Sequence, residues 1–216
     1  MKALSHRVAT VLLAVVAGAS CRATGAQAGP QIIQPGAPGE SSRVIAVETA
    51  VDLSRVQHTA ADVRFMQGMI GHHAQALEMV ALLPSRTSRE DMRMLGLRIE
   101  VSQADEIRMM QEWLQARGQD VPDLHAHHAD GATLMPGMLT PEEMGRLARA
   151  TGVEFDRLFL ELMIKHHDGA LVMVQDLFST PGAGQETEIF AFASDVDADQ
   201  RMEIERMGAL LKELLK

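Results

Sequence analysis

The sequence predicts an all-α protein whose core is a four-helix bundle built from two copies of a helical hairpin. A histidine-bearing helical segment occurs twice, and aliphatic and thioether side chains far outnumber aromatic ones. Hydrophobic residues make up 46% of the 216 residues and aromatic residues only 3%, with one Trp and no Tyr. Such a core suits helix-on-helix packing better than a β-sandwich, which uses many aromatic and β-branched residues.

The repeat covers residues 62–80 and 156–174 without a gap, at an offset of 166 − 72 = 94 residues. Both copies keep Met-Ile-x-His-His and then, after two intervening residues, Ala-Leu-x-Met-Val. Residues 103–107 and 200–204 also align, at an offset of 200 − 103 = 97. The repeated unit is therefore a pair of helices, and its duplication predicts an approximate two-fold axis.

Local signals place the helices of the first hairpin, which ends at Gly118. Its first helix covers about residues 62–83 and stops before Pro84, because proline cannot continue a helix. A capping box, Thr87-x-x-Glu90, is expected to open the second helix.

The second hairpin covers about residues 140–216. A capping box with proline at the first helical position, Thr140-Pro-Glu-Glu143, opens a short helix. The long helices follow at about residues 153–178 and 185–216. Residues 120–139 form a loop between the hairpins.

Polar side chains occupy the apolar, core-facing stripes of all four long helices. Consecutive helical residues are about 100° apart, so the two histidines of each pair flank the centre line of their stripe. An unpaired buried polar side chain costs about 1–3 kcal/mol, so these groups require either a hydrogen-bond network or a metal ion. They are His72, His73, His166, His167, Gln103, Glu106, Gln200 and Glu203.

In the metal interpretation, imidazoles from two helices converge on an ion together with nearby thioethers from Met69 and Met163. His73 and His167 lie on the central stripes, and the other two histidines lie one step round the helix. The two carboxylates serve as ligands or fix the imidazole tautomers, and the two glutamines belong to the same candidate set. Nitrogen ligands suit Cu(II) and sulfur ligands suit Cu(I), so copper is the expected ion. A Glu–His–Gln hydrogen-bond network without metal is the alternative.

A second candidate metal cluster lies in the inter-hairpin loop, where His125-Ala-His-His128 precedes Met135-Pro-Gly-Met138. A His- and Met-rich polar loop can bind copper weakly without a preformed geometry. The alternative is a solvated loop whose histidines have no role. The candidate residues are His125, His127, His128, Met135 and Met138.

The motifs Met69-Ile-x-His-His73 and Met163-Ile-x-His-His167 resemble the duplicated signature of the domain-of-unknown-function 305 family, over about residues 58–216. The resemblance implies a ferritin-like four-helix fold, an extracytoplasmic location and, as in some members, copper binding. Ferritin-like di-iron sites use a Glu from each of two helices and Glu-x-x-His from the other two. The present motifs, Met-x-x-His-His and Gln-x-x-Glu, offer fewer carboxylates, which weakens an iron oxidase interpretation.

The N-terminus predicts export. A basic segment precedes about a dozen apolar residues, which are too few to span a bilayer, and we place a signal peptide at residues 1–20. Cys21, the single cysteine, follows this run in an approximate lipobox and predicts a lipid anchor; the alternative is cleavage after Ala26-Gln-Ala28. Residues 21–57 are then a flexible tether. We expect a periplasmic or cell-envelope protein attached to a membrane only through this anchor.

Charge and motif content argue against other classes of function. A net charge of −9 without a basic patch disfavours nucleic-acid binding, and the sequence lacks a G-x-S-x-G elbow and phosphate-binding glycine motifs. The expected function is non-enzymatic copper binding, for buffering, resistance or transfer to a copper-handling partner protein. The alternatives are a ferritin-like iron or manganese oxidase and a metal-free envelope interaction module.

Overall fold

The structure, a computed structural model, describes residues 31–34, 41–51, 56–128 and 133–216. The chain divides into two units, Met1–Asp52 and Leu53–Lys216. The predicted signal peptide, Cys21 and the alternative cleavage site at Ala28 lie outside the described residues.

The first unit contains a short β-ribbon within the segment predicted to be a tether. Strands β1 (Ile32–Gln34) and β2 (Arg43–Ile45) pair antiparallel, with Ile33 opposite Val44. A single helical turn, α1 (Val47–Ala50), follows. The described part of this segment thus has local secondary structure that its composition did not predict.

The second unit is all-α, as predicted. Its long helices within the described residues are α2 (Ala60–Val80), α4 (Glu90–Ala116), α6 (Gly152–Ser179) and α7 (Thr187–Leu214). Shorter elements connect them: α3 (Leu83–Arg86), α5 (Pro141–Arg149) and a 3₁₀ turn (Ala126–His128). No helix in the described part of the chain has both the length and the apolar character needed to cross a bilayer.

Two of the predicted helix boundaries are confirmed in detail. Thr140 and Glu143 form the predicted reciprocal capping box of α5, with Pro141 in the first turn, where its missing N–H costs nothing. Gly118 follows the end of α4 with a φ of +63°, a left-handed conformation that glycine adopts without a steric penalty.

The predicted capping box at Thr87 is wrong. Pro84 lies in the first turn of α3, and Thr87 is the extended residue that ends this short helix. The Thr87 hydroxyl accepts a hydrogen bond from the Arg89 N–H, and α4 begins at Glu90 without a side-chain cap. An unpredicted capping box occurs instead at α2, where Thr59 and Asp62 bond reciprocally.

The long helices form two antiparallel hairpins, α2–α4 and α6–α7, and α2 packs against α6. The described core contains two apolar clusters at opposite ends of the bundle. One cluster combines the start of α2 with the end of α4, the end of α6 and the start of α7. The other combines the opposite ends of the same helices. The two histidine helices are therefore antiparallel, as an approximate two-fold axis between the repeats requires.

The inter-hairpin loop folds back over α2 and α6. Gln67 Nε2 donates a hydrogen bond to the Asp120 carbonyl at 2.8 Å. The buried Gln75 amide makes two hydrogen bonds to the backbone of Leu139: it donates to the carbonyl at 2.9 Å and accepts from the N–H at 2.7 Å. The loop is thus attached to α2 at both of its ends.

Between these attachments the loop backbone crosses α6 at Gly169. A Cβ at Gly169 would lie 2.0 Å from the Pro136 carbonyl oxygen and 2.5 Å from Gly137 Cα. Gly137 itself has a φ of +77°, and a Cβ there would lie 2.6 Å from the Lys165 carbonyl oxygen. Only glycine at these two positions permits the backbones to touch.

Replacing Gly169 by Ala should destabilise the fold by about 1–3 kcal/mol, because the added methyl overlaps the loop backbone. Gly208 is the matched control: it is also inside a long helix, and apart from its chain neighbours and the nearby backbone of its own helix, no described atom lies within 4 Å of a Cβ built there. Gly208→Ala should be neutral or stabilise by up to about 1 kcal/mol through helix propensity. Urea denaturation of both variants measures the difference, and equal effects would contradict the close approach.

Candidate metal centre

A layer of buried polar side chains lies between the two apolar clusters. The most exposed of its members, Glu106, has 9% of its surface accessible. All of them come from the polar positions predicted on the core-facing stripes. The layer consists of His72, His73, Gln103, Glu106, His166, His167, Gln200 and Glu203.

A buried histidine–glutamate contact occurs in each copy of the repeat. His73 Nε2 lies 2.5 Å from Glu106 Oε2, and His167 Nε2 lies 2.7 Å from Glu203 Oε2. The carboxylate accepts, so Nε2 carries the proton, and Nδ1 of a neutral ring keeps its lone pair. Neither Nδ1 has a hydrogen-bond partner among the described atoms. In metal sites, a ligating histidine commonly donates one ring N–H to a carboxylate, which orients the ring so that the other nitrogen binds the ion.

The other two histidines meet across the α2–α6 interface. The ring centroids of His72 and His166 are 3.8 Å apart, and their planes are inclined by 39°. His72 Nε2 lies 3.1 Å from the Pro136 carbonyl oxygen, so the inter-hairpin loop covers this pair from one side. Within the described part of the chain, neither ring nitrogen of His166 has a hydrogen-bond partner by distance and angle.

Burial lowers the pKa of His166 well below its usual value. The nearby rings of His72, His167 and His73 lower this pKa further, whereas the backbone of His72 has a smaller, raising effect. His166 is therefore neutral at ordinary pH. A neutral imidazole has a lone pair available for a metal ion.

The remaining predicted residues surround these rings. Neither side-chain atom of Gln200 that can hydrogen-bond has a partner in the described structure, and the same holds for Gln103 Oε1. Met69 and Met163 are completely buried, and each belongs to a different apolar cluster. Their thioethers therefore flank the layer from opposite sides.

The layer brings its polar groups together in pairs. Outside the layer, Glu78, His125 and His128 form a closer group. Among the described residues, these three supply His and carboxylate ligand atoms that all lie within 4.8 Å of one another. The His–Glu contacts of the layer correspond to part of the alternative hydrogen-bond network. The two glutamines do not complete that network.

The structure rearranges the candidate loop cluster. His125 Nδ1 and His128 Nε2 lie 3.0 and 2.8 Å from Glu78 Oε1. Met138 is buried, and Met135 packs half-buried against the core. The side chain of His127 lies outside the described part of the structure.

Two residues of this region were not predicted from the sequence: Gln75, which holds the loop, and Glu78, which contacts its histidines. Both follow His72 in steps of three, and this spacing places them on one face of α2. The spacing was a usable signal, but the partners of both residues come from a distant loop.

An acidic cleft of about 350 Å³ opens between α4 and α7 and reaches Glu106. Its other acidic residues are Asp105, Asp195 and Asp199. Burial raises the pKa of Asp199, and the carboxylates of Glu106 and Glu203 raise it further. The negative potential of such a cleft attracts cations towards the His73–Glu106 pair.

The sequence profile of the family described as domain of unknown function (DUF305) matches residues 62–211, and the chain belongs to this family. The resemblance noted for the duplicated His-His motif is thereby confirmed. No curated protein matches the sequence.

Two solved DUF305 structures and CopM have folds similar to that of this chain. A DUF305 fragment from Deinococcus radiodurans is 32% identical, with a TM-score of 0.62 over 72% of this chain and 98% of that chain. A Streptomyces coelicolor DUF305 protein, assigned as secreted, is 32% identical, with a TM-score of 0.61 over 71% and 93%. CopM in its Cu(II)-bound form is 26% identical, with a TM-score of 0.57 over 70% and 96%; it was also solved with Cu(I) and with Ag.

A single and a double variant of the His167–Glu203 pair should separate the effect of pairing from that of packing. His167→Leu leaves the buried carboxylate without its imidazole and should cost about 3–5 kcal/mol. His167→Leu/Glu203→Leu removes both polar groups and should recover most of that loss, since leucine suits a bundle core. Urea denaturation with a chelator present measures both. A double variant as unstable as the single one would contradict a closely coupled pair.

Proposed function

We propose that the protein is an extracytoplasmic copper-binding protein whose site is the buried histidine layer. The main support for this proposal comes from His73 and His167. Each ring is held at Nε2 by a carboxylate, and each has a buried Nδ1 without a hydrogen-bond partner among the described residues. Leaving such an acceptor unsatisfied costs about 1–3 kcal/mol. A bound metal ion would recover this cost.

The comparisons support copper as the ion and a location outside the cytoplasm. CopM, a structurally similar protein, was solved with Cu(I), Cu(II) and Ag, and the Streptomyces coelicolor relative is assigned as secreted. A lipid anchor at Cys21 remains a prediction. Buffering, resistance and transfer to a partner protein are all roles that such a site would serve.

The residues of the layer fit both oxidation states of copper. His73 and His167 would bind through Nδ1, with their glutamates holding the rings. The adjacent rings of His72 and His166 would add further imidazole nitrogen. The flanking methionines would add sulfur, which Cu(I) prefers, whereas imidazole suits Cu(II). No three carboxylate or imidazole ligand atoms of the layer lie within 4.8 Å in the described structure, so binding would have to draw side chains together.

The iron or manganese oxidase alternative has less support. The layer contains two carboxylates, and both already accept hydrogen bonds from imidazoles. A ferritin-like di-iron site uses four. A metal-free interaction module is the other alternative, and metal titration distinguishes it directly.

Replacing both His73 and His167 by Leu should abolish tight copper binding. Substituting a residue that hydrogen-bonds to a metal ligand lowers metal affinity by about 10–100-fold. Losing two ligands should therefore lower copper affinity by more than about 100-fold. Competition with a chromophoric Cu(I) chelator and titration with Cu(II) measure the affinities, and circular dichroism checks that the fold remains helical. The matched control is His125→Ala/His128→Ala, which should keep tight Cu(I) binding. If the loop variant lost tight copper binding and the His73/His167 variant kept it, the copper site would lie in the loop.

The double variant Glu106→Gln/Glu203→Gln tests whether these carboxylates orient the imidazole ligands rather than bind the ion themselves. We expect copper affinity to fall by about 10–100-fold while the number of bound ions stays the same. Glu161→Gln changes an exposed helical carboxylate paired with Arg157 and should have no effect. Loss of a bound ion in the double variant would instead make the glutamates direct ligands.

A further inference from the structure

We infer that Glu78, His125 and His128 form a second metal site, for a divalent ion of the zinc class, that fastens the inter-hairpin loop to α2. Their three ligand atoms lie within 4.8 Å of one another. Both imidazoles approach the same carboxylate oxygen, at 3.0 and 2.8 Å. The histidines are more than half exposed, so an ion reaches them from solvent without opening the bundle.

Local backbone structure brings the two histidines together. The N–H of His125 donates to Asp123 Oδ1 at 2.8 Å, which fixes the start of the turn. The chain then forms the 3₁₀ turn Ala126–His128, in which the His128 N–H bonds to the His125 carbonyl. Side chains three residues apart eclipse one another in a 3₁₀ turn. The rings accordingly lie 5.8 Å apart, centroid to centroid, with planes inclined by only 24°.

The ligand types select the ion. Two imidazoles and one carboxylate, with a fourth position left for water, form a set that Zn(II) commonly takes. Cu(I) prefers thioether or thiolate sulfur. The loop methionines do not supply it, because Met138 is buried and Met135 packs against the core. The site therefore differs in chemistry from the buried layer.

The site also lies outside the duplicated unit. The residue equivalent to Glu78 in the second copy is Val172, since 78 + 94 = 172. The α6–α7 connection, residues 180–186, is a short turn without histidine. Packing of the repeats therefore does not account for this cluster, whereas a role specific to the inter-hairpin loop does.

An ion bound here would crosslink the loop to α2 on the same helix face as His72 and Gln75. The loop continues from this point to Pro136, whose carbonyl contacts His72, and to Leu139, which Gln75 holds. Metal binding at the surface should therefore make the part of the loop that covers the His72–His166 pair more rigid.

The test is titration with Zn(II) of wild type, Glu78→Gln and His125→Ala/His128→Ala, with Glu161→Gln as the matched exposed control. Calorimetry should show one fewer bound Zn(II) in the histidine variant and at least about tenfold weaker binding at this site in Glu78→Gln. Hydrogen exchange of residues 120–128 should slow on adding Zn(II) in wild type and in Glu161→Gln only.

Unchanged Zn(II) stoichiometry and unchanged loop exchange in the histidine variant would overturn the inference, leaving a hydrogen-bonded contact without metal. The outcome is independent of the copper proposal. His73→Leu/His167→Leu should retain the loop Zn(II) site while losing tight Cu(I) binding, and Glu78→Gln should retain tight Cu(I) binding.

Discussion

The burial of ionisable and amide side chains between two apolar clusters is the constraint on which the rest of this structure depends. Taking a carboxylate out of water costs several kcal/mol, and a partner recovers that cost only with good geometry. Glu106 and Glu203 each have such a partner in an imidazole from the neighbouring helix. This pairing fixes the relative height of the two helices in each hairpin. The unsatisfied nitrogens that remain are the features that point to a metal ion.

The two-fold arrangement of the repeats holds at this layer and fails where the loop packs. At the layer, the adjacent histidine rings of both copies are 6.1 Å apart, with interplanar angles of 59° and 57°. Three residues further on, Gln75 and its equivalent Gly169 differ completely, because one bonds to the loop and the other makes room for it. A single connection between two equivalent hairpins cannot contact both in the same way. The asymmetry needed to hold the loop is therefore placed next to the site that the loop covers.

Prediction from sequence succeeded where the signal was periodic. Helical spacing and the repeat were enough to place the long helices, their hairpins and all eight polar members of the buried layer. It failed at Thr87, because a capping-box pattern does not reveal that a separate short helix, with Pro84 in its first turn, ends at this residue. It also left open whether the layer is a hydrogen-bond network or a set of free ligands. The described residues show elements of both: two imidazole–carboxylate pairs, and ring nitrogens of His73, His166 and His167 that have no hydrogen-bond partner among them.

The sequence by itself determined that this chain is a duplicated helical bundle with histidine, glutamine and glutamate turned towards its core. Those properties follow from residue spacing along single helices and from comparing two segments of the chain, and both can be read without knowing how the segments pack. Only the tertiary structure decided which nitrogen meets which oxygen, that the rings of His72 and His166 meet, and that Glu78 contacts two loop histidines. The Glu78 contacts join residues 47 and 50 positions apart. Contacts of this kind arise from the packing of separate segments, and no period in the sequence encodes them.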